Sequence, residues 1–326
     1  MHSSDEVDPD DYPLRNRNRT TNTGRTRGGR RSSEQPDRTR GGRLTEEERD
    51  LLTALREEPP ASGLPEDADR WSTWDTGERG PLPRPSWLVT ELAAVDQELG
   101  VLKTGKEADV ELIRRSVPGT ARECLLAAKR YRAPDHRRFH RDAEYLEGRR
   151  MRKSRENRAM SVRSSFGRGL LAEQWAVAEF RVLGELRSAG IPVPYPVQRV
   201  GTEVLLEFVG DADGSPAPRL AELRPTPDVL EDLWIQTLSA LFGLAEQGLT
   251  HGDLSCYNVL VHNGEIVLID LPQAVDVVAN PSGARYLERD VRNITDWFRS
   301  RGLPEDRIDL PEVSRSLSQA ARLLPR

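Results

Sequence analysis

The chain has 326 residues, enough for one two-lobed domain with a tail or for two ordinary domains. Its net charge of −5 conceals an asymmetry, because Arg15 to Arg43 carries ten Arg against Glu34 and Asp37, a local balance of +8, and the remainder is distinctly acidic. The apolar runs are too short to span a bilayer, the acidic start (Asp5, Glu6, Asp8, Asp10, Asp11) lacks the pattern of a secretory signal, and two cysteines, Cys124 and Cys256, cannot build a disulfide framework or a four-sulfur zinc site. The expectation is a soluble cytoplasmic protein with reduced thiols and no membrane partner.

Residues 1–43 have no periodic apolar positions and read as a disordered Arg/Gly-rich tail. Arg27-Gly28-Gly29-Arg30-Arg31 and Arg40-Gly41-Gly42-Arg43 are RGG-like, so the tail is a candidate for RNA or a ribosomal particle, against the plainer reading of a solvated tail without a partner. Residues 44–84 are expected to hold a short helix, capped by Thr45 with Leu51, Leu52 and Leu55 as its stripe, and then a Pro- and Trp-rich strap. Trp71, Trp74 and Trp87 should pack that strap on the main domain. A second helix is expected from about Ser86 to Glu98, stopped at Gly100. Strands are expected at Val101–Lys103, Asp109–Arg114 and Cys124–Tyr131, the last two joined across Pro118-Gly119. After an Arg-rich connection, Leu171, Trp175, Ala178, Val182 and Leu186 recur at helical spacing up to Gly190. Strands follow near Val197–Val200 and Glu203–Phe208, and then a long helix over 226–247 with Thr226 as cap and Pro227 in its first turn. Val259–Val261 and Ile266–Ile269 form a hairpin across His262-Asn263-Gly264-Glu265, and helices run from about Gly283 to Arg301 and Pro311 to Leu324. A β-rich half followed by a helical half predicts a two-lobed α+β fold.

The chemistry concentrates in His251-Gly252-Asp253-Leu254-Ser255-Cys256-Tyr257-Asn258, followed after one hairpin by Ile269-Asp270. Phosphoryl transfer needs a carboxylate to orient the attacking hydroxyl and hard oxygen ligands to hold Mg²⁺ on the phosphates. The spacing from Asp253 to Asn258 equals that of the kinase catalytic loop, H-R-D-x-x-x-x-N. Lys129, one of only four lysines among 48 basic residues, lies on a strand in Ala127-Ala128-Lys129, and Glu179 lies on the following helix. Either charge alone is usually a solvated one; the order strand Lys, helix Glu, loop Asp, Asn and terminal Asp distinguishes them.

These motifs resemble the RIO protein-kinase family over roughly residues 85–302. Thr104-Gly105-Lys106-Glu107-Ala108 is similar to its S/T-G-K-E-A loop, Ala189-Gly190-Ile191-Pro192-Val193-Pro194 to the end of its helix, and Leu206-Glu207-Phe208-Val209-Gly210 with Pro216-Ala217-Pro218 to its hinge. His251 to Asn258 matches H-G-D-L-S-x-x-N, and Ile269-Asp270 with Pro272-Gln273 matches I-D-x-P-Q. The resemblance implies a kinase-like domain over 85–302, with an N-lobe at about 85–206, a hinge at about 207–218, a C-lobe from about 219, and a C-terminal helix in 303–326. It implies ATP and Mg²⁺ as cofactors. Thr104, Gly105, Lys106 and Glu107 would cover the phosphates, Lys129 would bind them while held by Glu179, and main-chain groups of Glu207 and Phe208 would face adenine. Asp253 would orient the acceptor, Asn258 and Asp270 would bind the metal, and Asp270 could itself accept a phosphoryl group. The family lacks a long activation segment, and here only a short stretch separates Asp270 from the next helix.

Ser255 stands where ordinary kinases often place a Lys, as in RIO proteins. This weakens the case for fast transfer to a protein. Cys256 is either a packed small residue or a reactive thiol. The segment Arg137 to Arg168 fits a flexible loop, with Ser154, Ser161, Ser164 and Ser165 as candidate autophosphorylation sites or simply solvated residues. The leading reading is a serine/threonine kinase acting on itself or on an unidentified protein, or an ATPase. The alternative is an ATP-gated RNA or ribosome assembly factor. A small-molecule phosphotransferase of the aminoglycoside-kinase type is disfavoured by the T-G-K-E-A loop and by the few residues after 303.

Overall fold

The computed structural model describes residues 63–132, 165–272 and 274–324. The expected short helix of residues 45–55, Ser154, Ser161, Ser164 and the RGG-like stretches lie outside these residues.

The N-terminal half is one seven-stranded antiparallel sheet, ordered β1-β3-β4-β5-β7-β6-β2. Its strands are β1 (Arg70–Trp71), β2 (Glu78–Arg79), β3 (Val95–Thr104), β4 (Ala108–Ser116), β5 (Glu123–Tyr131), β6 (Pro196–Val200) and β7 (Glu203–Glu207). The strap supplies both edges, since β1 pairs with β3 and β2 with β6, and such very short edge strands leave little unpaired backbone. Trp74 is buried, and Trp87 meets Tyr195 edge-on at 6.4 Å, so these two tryptophans pack against the sheet, while Trp71 is half-buried in β1.

Period-two alternation divides the faces of β5. Cys124, Leu126 and Ala128 enter a core under the strap with Leu88, Val89, Ala94, Ile113 and Val197. Ala127 and Tyr131 face the opposite way, into the main core, and Lys129 shares their face. Across that face lies helix α1 (Ser165–Ser188). Its buried stripe of Ala172, Ala176, Phe180 and Leu183 contains Glu179, so a carboxylate is carried into the interior. Ser165 belongs to this helix, which corrects the expectation of a flexible loop extending to Arg168.

The expected helix over Ser86–Glu98 does not form. Residues 86–94 are turns that bury Leu88, Val89 and Ala94, and Val95 already belongs to β3. Two non-local effects override the local pattern. β4 offers a full ladder, pairing with β3 from Val95↔Ser116 to Thr104↔Asp109, and Gly100 is accommodated at a bulge. Asp96, fully buried, also takes a two-pronged contact from Arg115, Nε at 2.7 Å and Nη2 at 3.0 Å. Arg115 Nη1 reaches Gln198 at 2.8 Å, and Gln198 donates to Thr73 at 2.7 Å, tying β3, β4, β6 and the strap together.

The helical half contains α2 (Pro227–Glu246), α3 (Gly283–Ser300) and α4 (Leu310–Ala320), with the short strands β8 (Leu249–Thr250), β9 (Val259–His262), β10 (Glu265–Leu268) and β11 (Val275–Asp276). Thr226 occupies the cap position of α2 through its carbonyl, which accepts from Leu230 N at 2.8 Å, without a side-chain cap bond. β9 and β10 form the expected hairpin; Asn263 (φ 52°) and Gly264 (φ 81°) take the left-handed conformation that its two-residue turn demands. No helix among the described residues is long and apolar enough to cross a membrane. The halves are joined by a turn in which Gly210 bridges Pro216 and Ala217 N donates to Val209 O at 3.0 Å.

Candidate active site

The site lies where β5 and α1 of the sheet half meet the catalytic loop and the end of β10. Lys129 is buried and its ammonium bridges the halves, 2.7 Å from Glu179 Oε1 and 2.9 Å from Asp270 Oδ1. Tyr131, two residues along the same strand face, donates its hydroxyl to the other oxygen of Glu179. Burial opposes the charged form of Lys129, but the two carboxylates outweigh it and raise its pKa, so the ammonium persists at all working pH values. Burial together with the Glu179 charge drives the Tyr131 phenol well above its usual range, keeping it a neutral donor. Burial alone would raise the Asp270 carboxyl, yet Lys129 holds it below its usual value; Lys103, exposed near the end of β3, and His251 act in the same direction. Lys103 had only a strand position in the sequence reading, because its proximity to Asp270 is set by the way the two halves face each other.

The catalytic loop is built on main-chain bonds. Asn258, buried, donates its Nδ2 to the carbonyl of Asp253 at 3.0 Å, which leaves its Oδ1 as the acceptor end. Asn258 O accepts from Ile269 N at 3.0 Å and His251 Nε2 lies 3.0 Å from Ile269 O, so the loop is fastened to the strand that delivers Asp270. Asp270 has φ 67°, a conformation that costs a non-glycine residue free energy and clusters at functional positions. Asp253 is exposed beside these groups. Among the described residues of 271–282 the only strand or helix is β11, which pairs with β8, before α3 begins.

One residue escaped the sequence reading. Asp290 on α3 is fully buried and accepts from Gly252 N at 2.7 Å, Leu254 N at 3.0 Å and Thr250 Oγ1 at 2.8 Å. It grips the backbone on both sides of Asp253. The available signal is its place on the apolar stripe of α3, three residues after Leu287 and four before Ile294, where a carboxylate requires a partner.

The phosphate-loop candidates lie at the β3–β4 turn. Thr104, Lys106 and Glu107 are exposed, Gly105 N donates to Ala108 O at 2.9 Å, and a Cβ on Gly105 would stand 2.8 Å from that same oxygen. At the hinge, Glu207 N is spent on Tyr195 O at 2.9 Å and Phe208 is half-buried. That N–H is therefore not among the groups free to face adenine. Cys256 is half-buried, and burial pushes its thiol up, so it is a packed residue rather than an activated nucleophile.

The donor set fits a magnesium–nucleotide site. One carboxylate (Asp270) and one amide oxygen (Asn258) are hard ligands, and among the described residues no group of three or more His, Cys, Asp and Glu could cage a metal by itself. Mg²⁺ is commonly held this way, by one or two protein oxygens with substrate phosphates and water.

A RIO domain family model matches residues 126–312. The RIO-type serine/threonine-protein kinase Rio1 of Haloferax volcanii is 32% identical over 219 residues, covering 67% of this chain and 69% of that protein. Serine/threonine-protein kinase RIO1 of Chaetomium thermophilum is 31% identical over 228 residues, 64% of this chain but only 40% of that protein. Among solved structures, the Rio2 kinase of the same fungus in an ADP/Mg²⁺-phosphoaspartate complex aligns over 69% of this chain and 66% of its own, with TM-score 0.48 and 20% identity. On the extent of the family match and the archaeal relative's coverage, the chain belongs to the RIO family of serine/threonine-protein kinases.

Proposed function

We propose that this protein is an ATP- and Mg²⁺-dependent phosphotransferase that passes the γ-phosphoryl group to a hydroxyl on itself or on a protein. The observation that carries the reading is the Lys129 bridge between Glu179 and Asp270, set beside an Asp253–Asn258 loop whose backbone is locked to the Asp270 strand. Bound Mg²⁺ would neutralise charge on the phosphates, held by Asn258 Oδ1 and the Asp270 carboxylate. Lys129 would contact the phosphates, and Thr104, Gly105, Lys106 and Glu107 would cover them. The remaining main-chain groups of Glu207 and Phe208 would meet the base. Asp253 orients the acceptor hydroxyl and takes its proton as the new O–P bond forms and the bond from the γ-phosphorus to the bridging oxygen breaks, releasing ADP.

A second acceptor is favoured by one feature. Asp270 is held anionic by Lys129 while its side chain remains 38% exposed, so its carboxylate could attack the γ-phosphorus as the bond to the bridging oxygen breaks, releasing ADP and forming an aspartyl phosphate whose hydrolysis completes an ATPase cycle. An RNA or ribosomal partner rests on the composition of the Arg-rich tail. A cytoplasmic location rests on two cysteines that form no disulfide.

The test is labelling of the full chain with γ-labelled ATP, wild type against Asp253→Ala. The hydroxyl-transfer reading expects acid-stable label that the substitution abolishes. Acid-labile, hydroxylamine-sensitive label that Asp270→Asn removes would instead assign the aspartyl-phosphate cycle. Equal labelling of wild type and Asp253→Ala would end the catalytic assignment.

A further inference from the structure

Many arginines among the described residues are matched to carboxylates. On α3, Arg292 meets Glu288 at 2.6 Å and Arg299 meets Glu305 at 3.1 Å; on the sheet, Arg130 meets Glu203 at 2.7 Å. Two arginines beside the catalytic loop are held by main-chain carbonyls instead. Arg289, exposed on α3, donates from Nη2 to the carbonyl of Gly252, the residue before Asp253. Arg219, half-buried at the end of the hinge, donates from Nη1 to the carbonyl of Tyr257, the residue before Asn258. Neither guanidinium has a carboxylate partner among the described residues. A main-chain carbonyl satisfies one N–H of a five-donor fork and neutralises none of its charge. Arg289 also lies over Tyr286, its Cζ 5.0 Å from the ring centre, which holds the guanidinium in place without cancelling it.

The catalytic loop is thus bracketed by two fixed, un-neutralised cations, one adjoining Asp253 and one adjoining Asn258, in a chain of net charge −5. The acceptor hydroxyl must approach the same loop. Building on the phosphotransferase reading above, we propose that Arg289 and Arg219 select the acceptor, and that its class is a Ser or Thr in an acidic peptide segment whose carboxylates flank the hydroxyl and pair with these guanidiniums. Both cations adjoin the residues that handle the acceptor and the metal, so they fit a segment presenting its hydroxyl to Asp253. A single-stranded nucleic acid would instead require a basic track running away from the site.

The experiment uses the full chain with Mg-ATP and two synthetic peptides of equal length, one with Ser flanked by Glu and one with the same Ser flanked by Gln. Wild type should favour the acidic peptide in kcat/KM, chiefly through KM, and the preference should shrink from low salt to 0.3 M as screening grows. Arg289→Gln and Arg219→Gln each keep a donor for the loop carbonyl but remove the charge. Each should lower the acidic-to-neutral ratio by about two- to fivefold, the range of exposed ion pairs, and Arg289→Lys should restore most of it. Because the ratio is internal to each variant, a general loss of loop order does not imitate the effect. The proposal is overturned if the ratio is the same in wild type and both Gln variants, or if wild type labels itself through Asp253 yet phosphorylates neither peptide. It is also overturned if the Gln variants lose affinity for a single-stranded RNA oligonucleotide while showing no change in peptide preference. Absence of any Asp253-dependent labelling in the wild type would remove the phosphotransferase reading itself, and this selectivity with it.

Discussion

Replacing Asp290 should damage both stability and turnover, because this side chain holds the backbone on both sides of Asp253. It is fully buried and accepts two main-chain N–H groups and one hydroxyl. Asp290→Ala leaves Gly252 N and Leu254 N buried without an acceptor, and a stranded buried donor costs about 1–3 kcal/mol. With the bond from Thr250 also lost, the total is about 3–7 kcal/mol. Asp290→Asn keeps the volume but supplies one acceptor oxygen for two N–H donors and turns an NH₂ toward one of them, for about 2–4 kcal/mol. Thr250→Val removes only the hydroxyl bond and leaves both N–H bonds, for about 1 kcal/mol. Urea unfolding followed by tryptophan fluorescence gives the stabilities, and labelled-ATP turnover reports the loop. A displacement of Asp253 of about 1 Å is enough for a loss on the order of 100-fold, so both Asp290 variants should turn over far more slowly than Thr250→Val. Asp290→Asn within about 0.5 kcal/mol of wild type, with turnover within about twofold, would refute the account.

Lys129→Met should reduce turnover by at least about 100-fold and destabilise the protein by about 3–5 kcal/mol, because Glu179 is left buried without its cation; an unchanged urea midpoint would contradict the bridge. Gly105→Val should raise KM for ATP several-fold with little change in stability, since its Cβ would press on Ala108 O at 2.8 Å in an exposed turn; ATP titration of initial rates reads this directly. The depressed pKa of Asp270 means that the unfolded chain takes up this proton first as pH falls. The stability it contributes is therefore complete above about pH 5 and is lost as pH drops below about 4 through its folded-state value. Comparing wild type with Asp270→Asn should give a constant difference from pH 5 to 8 that shrinks in acid; a difference unaltered at pH 3 would show that the Lys129 pairing does not govern this carboxyl. Arg115→Met should cost up to about 3–5 kcal/mol by removing the two-pronged partner of buried Asp96, which keeps only the 3.4 Å contact from Arg70 Nε, readable in the same urea titration.

What the sequence determined by itself is local. Asn263-Gly264 dictates a turn because its backbone needs left-handed conformations, and strand alternation alone places Lys129 on the face opposite Leu126 and Ala128. Helical spacing places Glu179 among Ala176, Phe180 and Leu183, and the interval from Asp253 to Asn258 is legible as a loop motif. The tertiary structure decided everything that depended on a distant partner. Residues 95–104 became a strand because β4 supplied its ladder and Arg115 met Asp96, interactions that no window around Ser86 contains. Asp290 became the anchor of the catalytic loop because α3 packs beneath it, and Asp270 acquired its charge state because the halves place Lys129 against it. Periodicity and turn chemistry act over a few residues, whereas backbone pairing and Coulomb forces act between any segments that the fold brings within reach.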